Sequence, residues 1–224
     1  MKYISILIIL VLINLSCDST QSDTIIDRPS VGVSYQKSKS NIELSKLDLN
    51  KLIAGDIILR RGDGPLSYHL SNTTKEAFTH CGIIVKTDSV WQVIHSLGGQ
   101  TSKQEIDGVQ ISTLKHFIDY AADSLLYICR PIFVDSANIK VTERAKYYLS
   151  QKIPFDHGFS ALTPDDFYCS ELLYHIFKDI NNQKNVFVIK KKHKAYMLMF
   201  STFYKVNNFQ KIIEIKPQIL VGEQ

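Results

Sequence analysis

Four short apolar segments lie between residues 54 and 134, and stretches rich in turn-forming residues separate them. Each is rich in isoleucine, valine or leucine and has the length of a β-strand rather than a helix. The segments span residues 54–61, 79–85, 89–96 and 126–134, and 62–78 is interpreted as a loop. The helical patterns come later, so strands and helices are partly segregated along the chain. This order predicts an α+β fold with a mostly antiparallel sheet.

Two helices are predicted after these strands. The segment 136–152 has Ser136 as a candidate cap and a basic end. In 165–177, Asp165 and Asp166 precede an apolar stripe with helical spacing, made up of Cys169, Leu172, Leu173, Ile176 and Phe177. The stripe alone makes Cys169 a small core residue. Its place in the first turn instead indicates an activated thiol, because a helix N-terminus favours the thiolate.

Two histidines flank a predicted hairpin between the second and third strands. With a turn at Thr87 and Asp88, His80 would pair directly with His95, and the two rings would share one face of the sheet. A loop one residue longer would pair His80 with Ser96. Cys81 follows His80, so it faces the other side and is expected in the core. Cys129, in an apolar segment, is also expected to be buried.

A cysteine nucleophile needs a base, and the base needs an orienting partner. Cys169, His80 and His95 could supply these parts, but two strand histidines could equally be structural or bind a metal. No zinc-type cysteine pairs and no glycine-rich phosphate loop occur in the chain. The net charge of +4 is mild, and the basic run at 190–194 is interpreted as a solvated loop. We therefore expect no nucleic-acid partner.

The N-terminus has the pattern of an export signal. The apolar run from Ile4 to Ile13 is too short to span a bilayer comfortably and fits a signal h-region. It ends in NLSC, which resembles a lipobox with Cys17 as the lipidated residue, although Asn14 departs from the usual apolar residue. An ordinary secretory signal or an uncleaved anchor is the alternative. The predicted organisation is a lipoprotein-type signal at 1–17, a polar tether at 18–45 and one domain at 46–224.

An ordered set of motifs within residues 50–178 resembles one family. The motifs are GDIIL (55–59), THCGIIV (79–85), VIHSLGG (93–99), YICRP (127–131), IPFDHGF (153–159) and FYCSELLY (167–174). Together they resemble the circularly permuted NlpC-type papain-like cysteine hydrolases of the YaeF/YiiX branch, which are more distantly related to the lecithin retinol acyltransferase group. The resemblance implies a permuted papain-like fold, with a mostly antiparallel sheet packed against helices that include the nucleophile helix.

The resemblance also implies roles for individual residues. Cys169 matches the nucleophile, His80 the base and His95 the third polar residue. The third position is often Glu in this branch, and His95 also lies three residues later than usual, so the chain departs from the pattern there. Tyr168 matches a position that lines the site and contributes to substrate or oxyanion binding. Asp56 is expected to cap the turn before the first strand, and Glu171 to form a capping interaction at its helix start.

The function implied is amide cleavage through a thioester, with no cofactor and no metal. The export signal favours a cell-wall peptide linkage and a monomer held at the cell envelope by its lipid anchor at Cys17. Two alternatives stay open. One is a lipid-directed acyltransferase or hydrolase that acts on lipid esters or amides, and the other is a non-catalytic binding lipoprotein of the envelope.

Overall fold

The structure is a computed structural model that describes residues 40–98, 106–160, 163–181, 186–192 and 195–216. The predicted signal segment with Cys17, and the predicted tether up to residue 39, lie outside these residues. Within the described part of the chain, no helix combines the length and the apolar composition that crossing a membrane requires.

The described residues form eight strands and five α-helices. Two short 3-10 helices, Leu44–Lys46 and Leu49–Lys51, come first. The remaining elements in chain order are β1 Ile57–Gly62, α1 Pro65–Thr74, β2 His80–Thr87, β3 Val90–Leu97, β4 Gly108–Thr113, α2 Leu114–Asp119, β5 Ala121–Pro131, α3 Ala137–Ser150, α4 Cys169–Ile180, β6 Ile189–Lys192, β7 Ala195–Leu198, α5 Thr202–Lys205 and β8 Phe209–Ile215.

Six strands form one antiparallel sheet in the order β4-β3-β2-β1-β5-β8, and β6 pairs with β7 in a small second sheet. The predicted α+β class with a mostly antiparallel sheet is therefore confirmed. Neighbours in the sheet are mostly neighbours along the chain, as expected where short connections join successive strands.

The sheet buries a different apolar cluster on each face, because side chains alternate along every strand. The α4 face is packed against α3 and α4, and its sheet residues include Ile57, Leu59, Cys81, Ile83, Val85, Ile94 and Cys129. The α2 face is packed against α2 and the N-terminal 3-10 segments, and its sheet residues include Ile58, Ile84, Val93, Leu126 and Ile128. Each sheet residue of the candidate site lies on either the α4 face or the α2 face.

The β2–β3 hairpin has a different register from the one predicted. Thr87 pairs with Val90, so the turn is Asp88–Ser89, and both turn residues have positive φ. That backbone matches the right-handed twist of a hairpin. The observed register moves the pairing by two residues, so the direct pairing of His80 with His95 is wrong, and so is the alternative with Ser96. A shift of two keeps both histidines on one face.

A helix occupies part of the predicted loop at 62–78. Helix α1 begins at Pro65, whose fixed φ suits a first helical position. Its apolar residues Leu66 and Tyr68 are exposed, and Ser71 is the buried residue. A helix that buries no apolar stripe leaves no periodic signal, which explains the missed prediction. Strand β4 and helix α2 were also not predicted.

The predicted caps of the two long helices are not formed. Ser136 precedes α3 in a left-handed conformation and makes no capping hydrogen bond with its side chain. Helix α4 has Tyr168 at its N-cap rather than Asp165 or Asp166. The apolar stripe of α4 is confirmed, since all its members except the half-buried Cys169 are buried.

Asp56 is the polar anchor of the strands that carry the site. Its fully buried carboxylate accepts hydrogen bonds from Arg130 at 2.8 and 3.0 Å, and another from the Ile53 backbone N–H at 3.0 Å. The Ile53 bond is the turn cap expected from the sequence. Because Arg130 comes from β5, the same carboxylate fixes β5 beside the turn that starts β1. A bidentate pair of this kind sets geometry as well as charge.

Candidate active site

Cys169 is the first residue of α4, and it lies half-buried against the apolar cluster of the α4 face. Tyr168 precedes it in an extended conformation and provides no side-chain cap. The first backbone N–H groups of a helix have no acceptor within the helix. They are therefore free to interact with the sulfur of Cys169.

The side chain with the largest influence on the pKa of the Cys169 thiol is that of another cysteine. A hydrogen bond from the Cys81 side chain lowers the pKa of Cys169 most, while burial raises it. The backbone N–H groups of Cys81, Ser170 and Cys169 itself lower that pKa further. The net effect is a Cys169 pKa below its ordinary value. Hydrogen-bond donors and the helix N-terminus thus outweigh the cost of burying a thiolate.

The other two described cysteines are in the opposite situation. Cys81 and Cys129 are fully buried, and burial raises the pKa of each well above its ordinary value. Both stay protonated at neutral pH and behave as core residues, as predicted. Among the cysteines at 81, 129 and 169, the thiolate is thus favoured at Cys169.

His80 and His95 form a buried pair on the α2 face. A hydrogen bond of 3.0 Å joins His80 Nε2 to His95 Nδ1, and His95 Nε2 lies 3.1 Å from the Ser112 hydroxyl. The His80 ring stacks on Phe117 at a centroid distance of 5.3 Å. Arg60 lies over the same Phe117 ring at 4.5 Å. The rings are therefore held by both polar and aromatic contacts.

Both imidazoles are neutral at physiological pH. Burial lowers the pKa of His80 well below its ordinary value, and the positive charge of Arg60 lowers it further. The same two causes, in the same order, lower the pKa of His95 to about 3. The histidine pair is not a source of positive charge for a neighbouring thiolate.

Among the described residues, the hydrogen bonds of the His80 and His95 rings join them to each other and to Ser112, and none reaches Cys169. His80 faces Phe117 on the α2 side, whereas Cys81, the next residue, faces Cys169 on the α4 side. The catalytic roles predicted for Cys169, His80 and His95 stay predictions. The backbone N–H of Cys81, which belongs to the peptide bond that follows His80, is among the groups that lower the pKa of Cys169.

Ser96 positions the nucleophile helix, and sequence reasoning missed it. It is fully buried, and its hydroxyl donates a 2.5 Å hydrogen bond to the carbonyl oxygen of Phe167, two residues before Cys169. Because Ser96 follows His95 on β3, alternation alone would have placed it on the α4 face. Glu171 is fully buried as well, and it accepts a 3.1 Å hydrogen bond from the Thr163 backbone N–H in the preceding loop.

An aromatic row leads from Tyr168 to an exposed pair of hydrogen-bonded polar side chains. The buried Tyr168 ring lies 5.6 Å from Phe159, which lies 5.8 Å from Phe155. Phe155 contacts His157 at 5.1 Å, and His157 Nε2 is 2.9 Å from an Asp107 oxygen. The site-lining role of Tyr168 stays a prediction, and the polar pair at the end of the row was not predicted.

A protein family and a solved structure match the chain. The model of a family described as permuted papain-like amidase enzyme, YaeF/YiiX, matches residues 51–217. Among solved structures, yiiX from Escherichia coli O157:H7 has a similar fold, with a TM-score of 0.61 and 18% sequence identity. The likeness covers 75% of this chain and 99% of that chain. The comparison with curated proteins gives no match.

The yiiX protein of that structure is described as a metalloprotein. In the present chain, the described residues contain no group of three or more histidine, cysteine, aspartate or glutamate side chains placed to hold a metal ion. The two imidazoles also face each other through a hydrogen bond rather than converging on a common point. The donor set of these residues therefore does not fit a metal centre.

The buried neutral histidines make stability depend on pH. In the unfolded chain, each imidazole titrates near its ordinary pKa of about 6.5, so that state binds more protons in acid. Their contribution to stability is full above that value and is lost as the pH falls from about 6.5 towards 3. We expect His95→Gln to reduce the loss between about pH 7 and pH 5 by about 2 kcal/mol. Urea denaturation at the two pH values measures this loss.

The exposed His69 provides the control for this experiment. His69→Gln should leave the pH dependence of the wild type unchanged. If His95→Gln loses as much stability in acid as the wild type does, His95 is not held neutral by the fold.

The thiol environment predicts selective alkylation. The rate of iodoacetamide reaction at Cys169 should follow an apparent pKa below the ordinary value of about 8.5. Cys81→Ala should raise that pKa, because it removes the strongest of the interactions that lower it. Peptide mass spectrometry over a pH series gives the rate at each cysteine. Cys129→Ala is the matched control and should change nothing at Cys169, whereas a pKa insensitive to Cys81 would contradict the assignment.

Proposed function

Since the chain belongs to the permuted papain-like amidase family YaeF/YiiX, and is a cysteine hydrolase of amide bonds, we propose that it cleaves peptide linkages of the cell wall with Cys169 as nucleophile. The observation that carries the proposal is the position of this thiol. Cys169 starts α4, is half-buried, and has a pKa lowered by hydrogen bonds to its sulfur. This is the environment in which a cysteine becomes reactive.

In the proposed reaction, neutral His80 takes the thiol proton and the Cys169 sulfur attacks the amide carbonyl carbon. The oxyanion accepts hydrogen bonds from N–H groups of the first turn of α4. His80 then gives its proton to the leaving amine, which departs and leaves a thioester. Water attacks the thioester with His80 as base, and the carboxylic acid is released. His95 orients His80 through the hydrogen bond between their rings.

The proposal requires a nitrogen of the His80 ring to come within hydrogen-bond distance of the Cys169 sulfur during the reaction. His80 is the first residue of β2, and its ring is bonded to His95 in the resting protein. The peptide N–H of Cys81, the next residue, is among the groups that lower the pKa of Cys169, which supports the required proximity. The ring would give up its stacking on Phe117. Its lowered pKa means that it is unprotonated and ready to accept a proton at neutral pH.

A polar rim supports a peptide substrate over a lipid. The exposed His157–Asp107 pair ends the aromatic row that starts at Tyr168, beside the nucleophile. Such a rim suits the charged and amide groups of a peptide better than an acyl chain. A γ-glutamyl bond to a diamino acid is the linkage of this class that the proposal names.

The proposal also places the enzyme at the cell envelope. An export signal at 1–17 and a lipidated Cys17 would hold the domain next to the wall through the tether at 18–45. One acyl-bearing residue with more than one chain gives stable anchoring without a membrane-spanning helix.

Cys17→Ala should therefore move the protein from the membrane pellet to the soluble fraction after export. Equal amounts in the pellet for both forms would remove lipidation from the account.

The substrate proposal is tested with the full chain in mild detergent. Soluble wall peptides and, separately, vesicles that contain N-acylated lipids are incubated with it and analysed by mass spectrometry. We expect a new amine and a new carboxylate from the wall peptide, with water as the added group. Cys169→Ala should abolish the products, and His80→Ala should lower kcat/KM by about 10²- to 10⁴-fold. His69→Ala, at an exposed position, is the matched control.

The other outcomes identify the alternatives. Fatty acid released from the vesicles, with the wall peptides intact, would favour the lipid-directed hydrolase. No product from either substrate, with Cys169 still reactive towards iodoacetamide, would favour the binding lipoprotein. Unchanged kcat/KM in His80→Ala would remove His80 as the base and leave the nucleophile in place.

A further inference from the structure

We propose that Ser112 is a positioning residue of the hydrolase, whose hydroxyl accepts a hydrogen bond from His95 and so holds His80 in the tautomer that a base requires. Ser112 Oγ lies 3.1 Å from His95 Nε2, and His95 Nδ1 lies 3.0 Å from His80 Nε2. The three side chains therefore form one chain of hydrogen bonds. This inference rests on the proposed function, since it takes His80 as the base.

The junction between β4 and α2 holds this chain in place. Ser112 lies on β4, which pairs with β3, and its side chain shares the α2 face with His95, where diagonal neighbours can reach each other. Thr113, the next residue, is the N-cap of α2, and its side chain caps that helix. Phe117 of the same helix stacks on His80 and lies 5.4 Å from the His95 ring. One short segment thus supplies both the hydroxyl and the aromatic ring that contact the histidine pair.

The protons of a neutral histidine pair can be arranged in two ways. Each neutral imidazole has one N–H group and one unprotonated nitrogen, and burial and the charge of Arg60 keep both rings neutral through a lowered pKa. In the first arrangement, His80 Nε2 donates to His95 Nδ1, and His95 Nε2 donates to Ser112. In the second arrangement, every donor and acceptor is reversed, and Ser112 donates to His95 Nε2. A hydroxyl group can take part in both.

The first arrangement is the one that a base requires. Among the described residues, the His80 ring forms its hydrogen bond through Nε2, so Nδ1 is the nitrogen available to the Cys169 thiol. Nδ1 can take the thiol proton only if it is unprotonated, which places the proton of the neutral ring on Nε2. His80 Nε2–H then donates to His95, and the N–H of His95 needs an acceptor in turn. Ser112 is that acceptor.

Loss of the hydroxyl would favour the second arrangement. In the first arrangement, the buried His95 ring would keep an N–H group without an acceptor, and buried donors are rarely left unpaired. In the second arrangement, the same position is an unprotonated nitrogen, and buried acceptors are left unpaired more often than donors. Ser112→Ala should therefore populate the tautomer of His80 that has its proton on Nδ1 and cannot take the thiol proton.

The tautomers are measured by long-range proton–nitrogen correlation spectra of the full chain with ¹⁵N-labelled histidine, at neutral pH and without substrate. The chain has seven histidines, and spectra of His80→Gln and His95→Gln identify the two rings. Protonated and unprotonated ring nitrogens differ widely in chemical shift. We expect a protonated Nε2 and an unprotonated Nδ1 in both rings. An unprotonated Nε2 at His95 would make Ser112 the donor and would overturn the proposal.

Variants separate positioning from a merely structural role. Ser112→Ala should add signals of the second arrangement and lower kcat against wall peptides by about two- to tenfold, the equivalent of one hydrogen bond, with KM little changed. Ser112→Thr keeps the hydroxyl and should restore both the tautomers and kcat. Ser150→Ala, at an exposed serine of α3, is the matched control. Circular dichroism checks that each variant is folded.

Folded Ser112→Ala with wild-type tautomers and wild-type kcat would contradict the inference. The spectra need no substrate, so the two proposals fail separately. A wild type with the expected tautomers that cleaves no amide would overturn the hydrolase and leave the chain of hydrogen bonds established. A wild type that cleaves the wall peptide with the second arrangement at both rings would overturn the role of Ser112 alone.

Discussion

The alternation of side chains along β2 is the constraint from which the arrangement of the site follows. His80 and Cys81 are neighbours in the chain, and the pleat sends them to opposite faces of the sheet. Helix α4 covers one face and α2 covers the other. Cys81 consequently meets the nucleophile helix, and His80 meets Phe117. The Cys81 thiol and the His80 imidazole are adjacent in the chain, but they lie on opposite sides of the β-sheet.

In the resting protein, the pKa of the Cys169 thiol is lowered without a positively charged imidazole. Cysteine hydrolases are commonly described through an imidazolium that stabilises the thiolate. Here the buried imidazoles are neutral, and the Cys81 thiol and backbone N–H groups lower the pKa of Cys169. The reactivity of the free thiol and the proton transfers of turnover therefore depend on different residues.

The sequence predicted most of the sheet and the apolar stripe of α4, because both have strong periodic signals. It also placed Cys81 in the core, opposite to His80, from alternation. Periodicity does not show which face of the sheet each helix covers. That choice decides whether Cys169 lies on the same side of the sheet as His80 or as Cys81. The hairpin register failed for a local reason, since Asp88 and Ser89 adopt positive φ without the glycine that usually marks such a turn. Helix α1 was missed because its apolar residues face solvent.

We propose that Cys169 attacks the substrate and that His80 serves it as the base. The most direct measurement is a crystal structure of the full chain after covalent reaction of Cys169 with a peptide aldehyde. The account predicts a hemithioacetal at Cys169, with its oxygen on N–H groups of the first turn of α4 and the His80 ring within hydrogen-bond distance of the adduct. An adduct at Cys169 with His80 still stacked on Phe117 and bonded to His95 would contradict it.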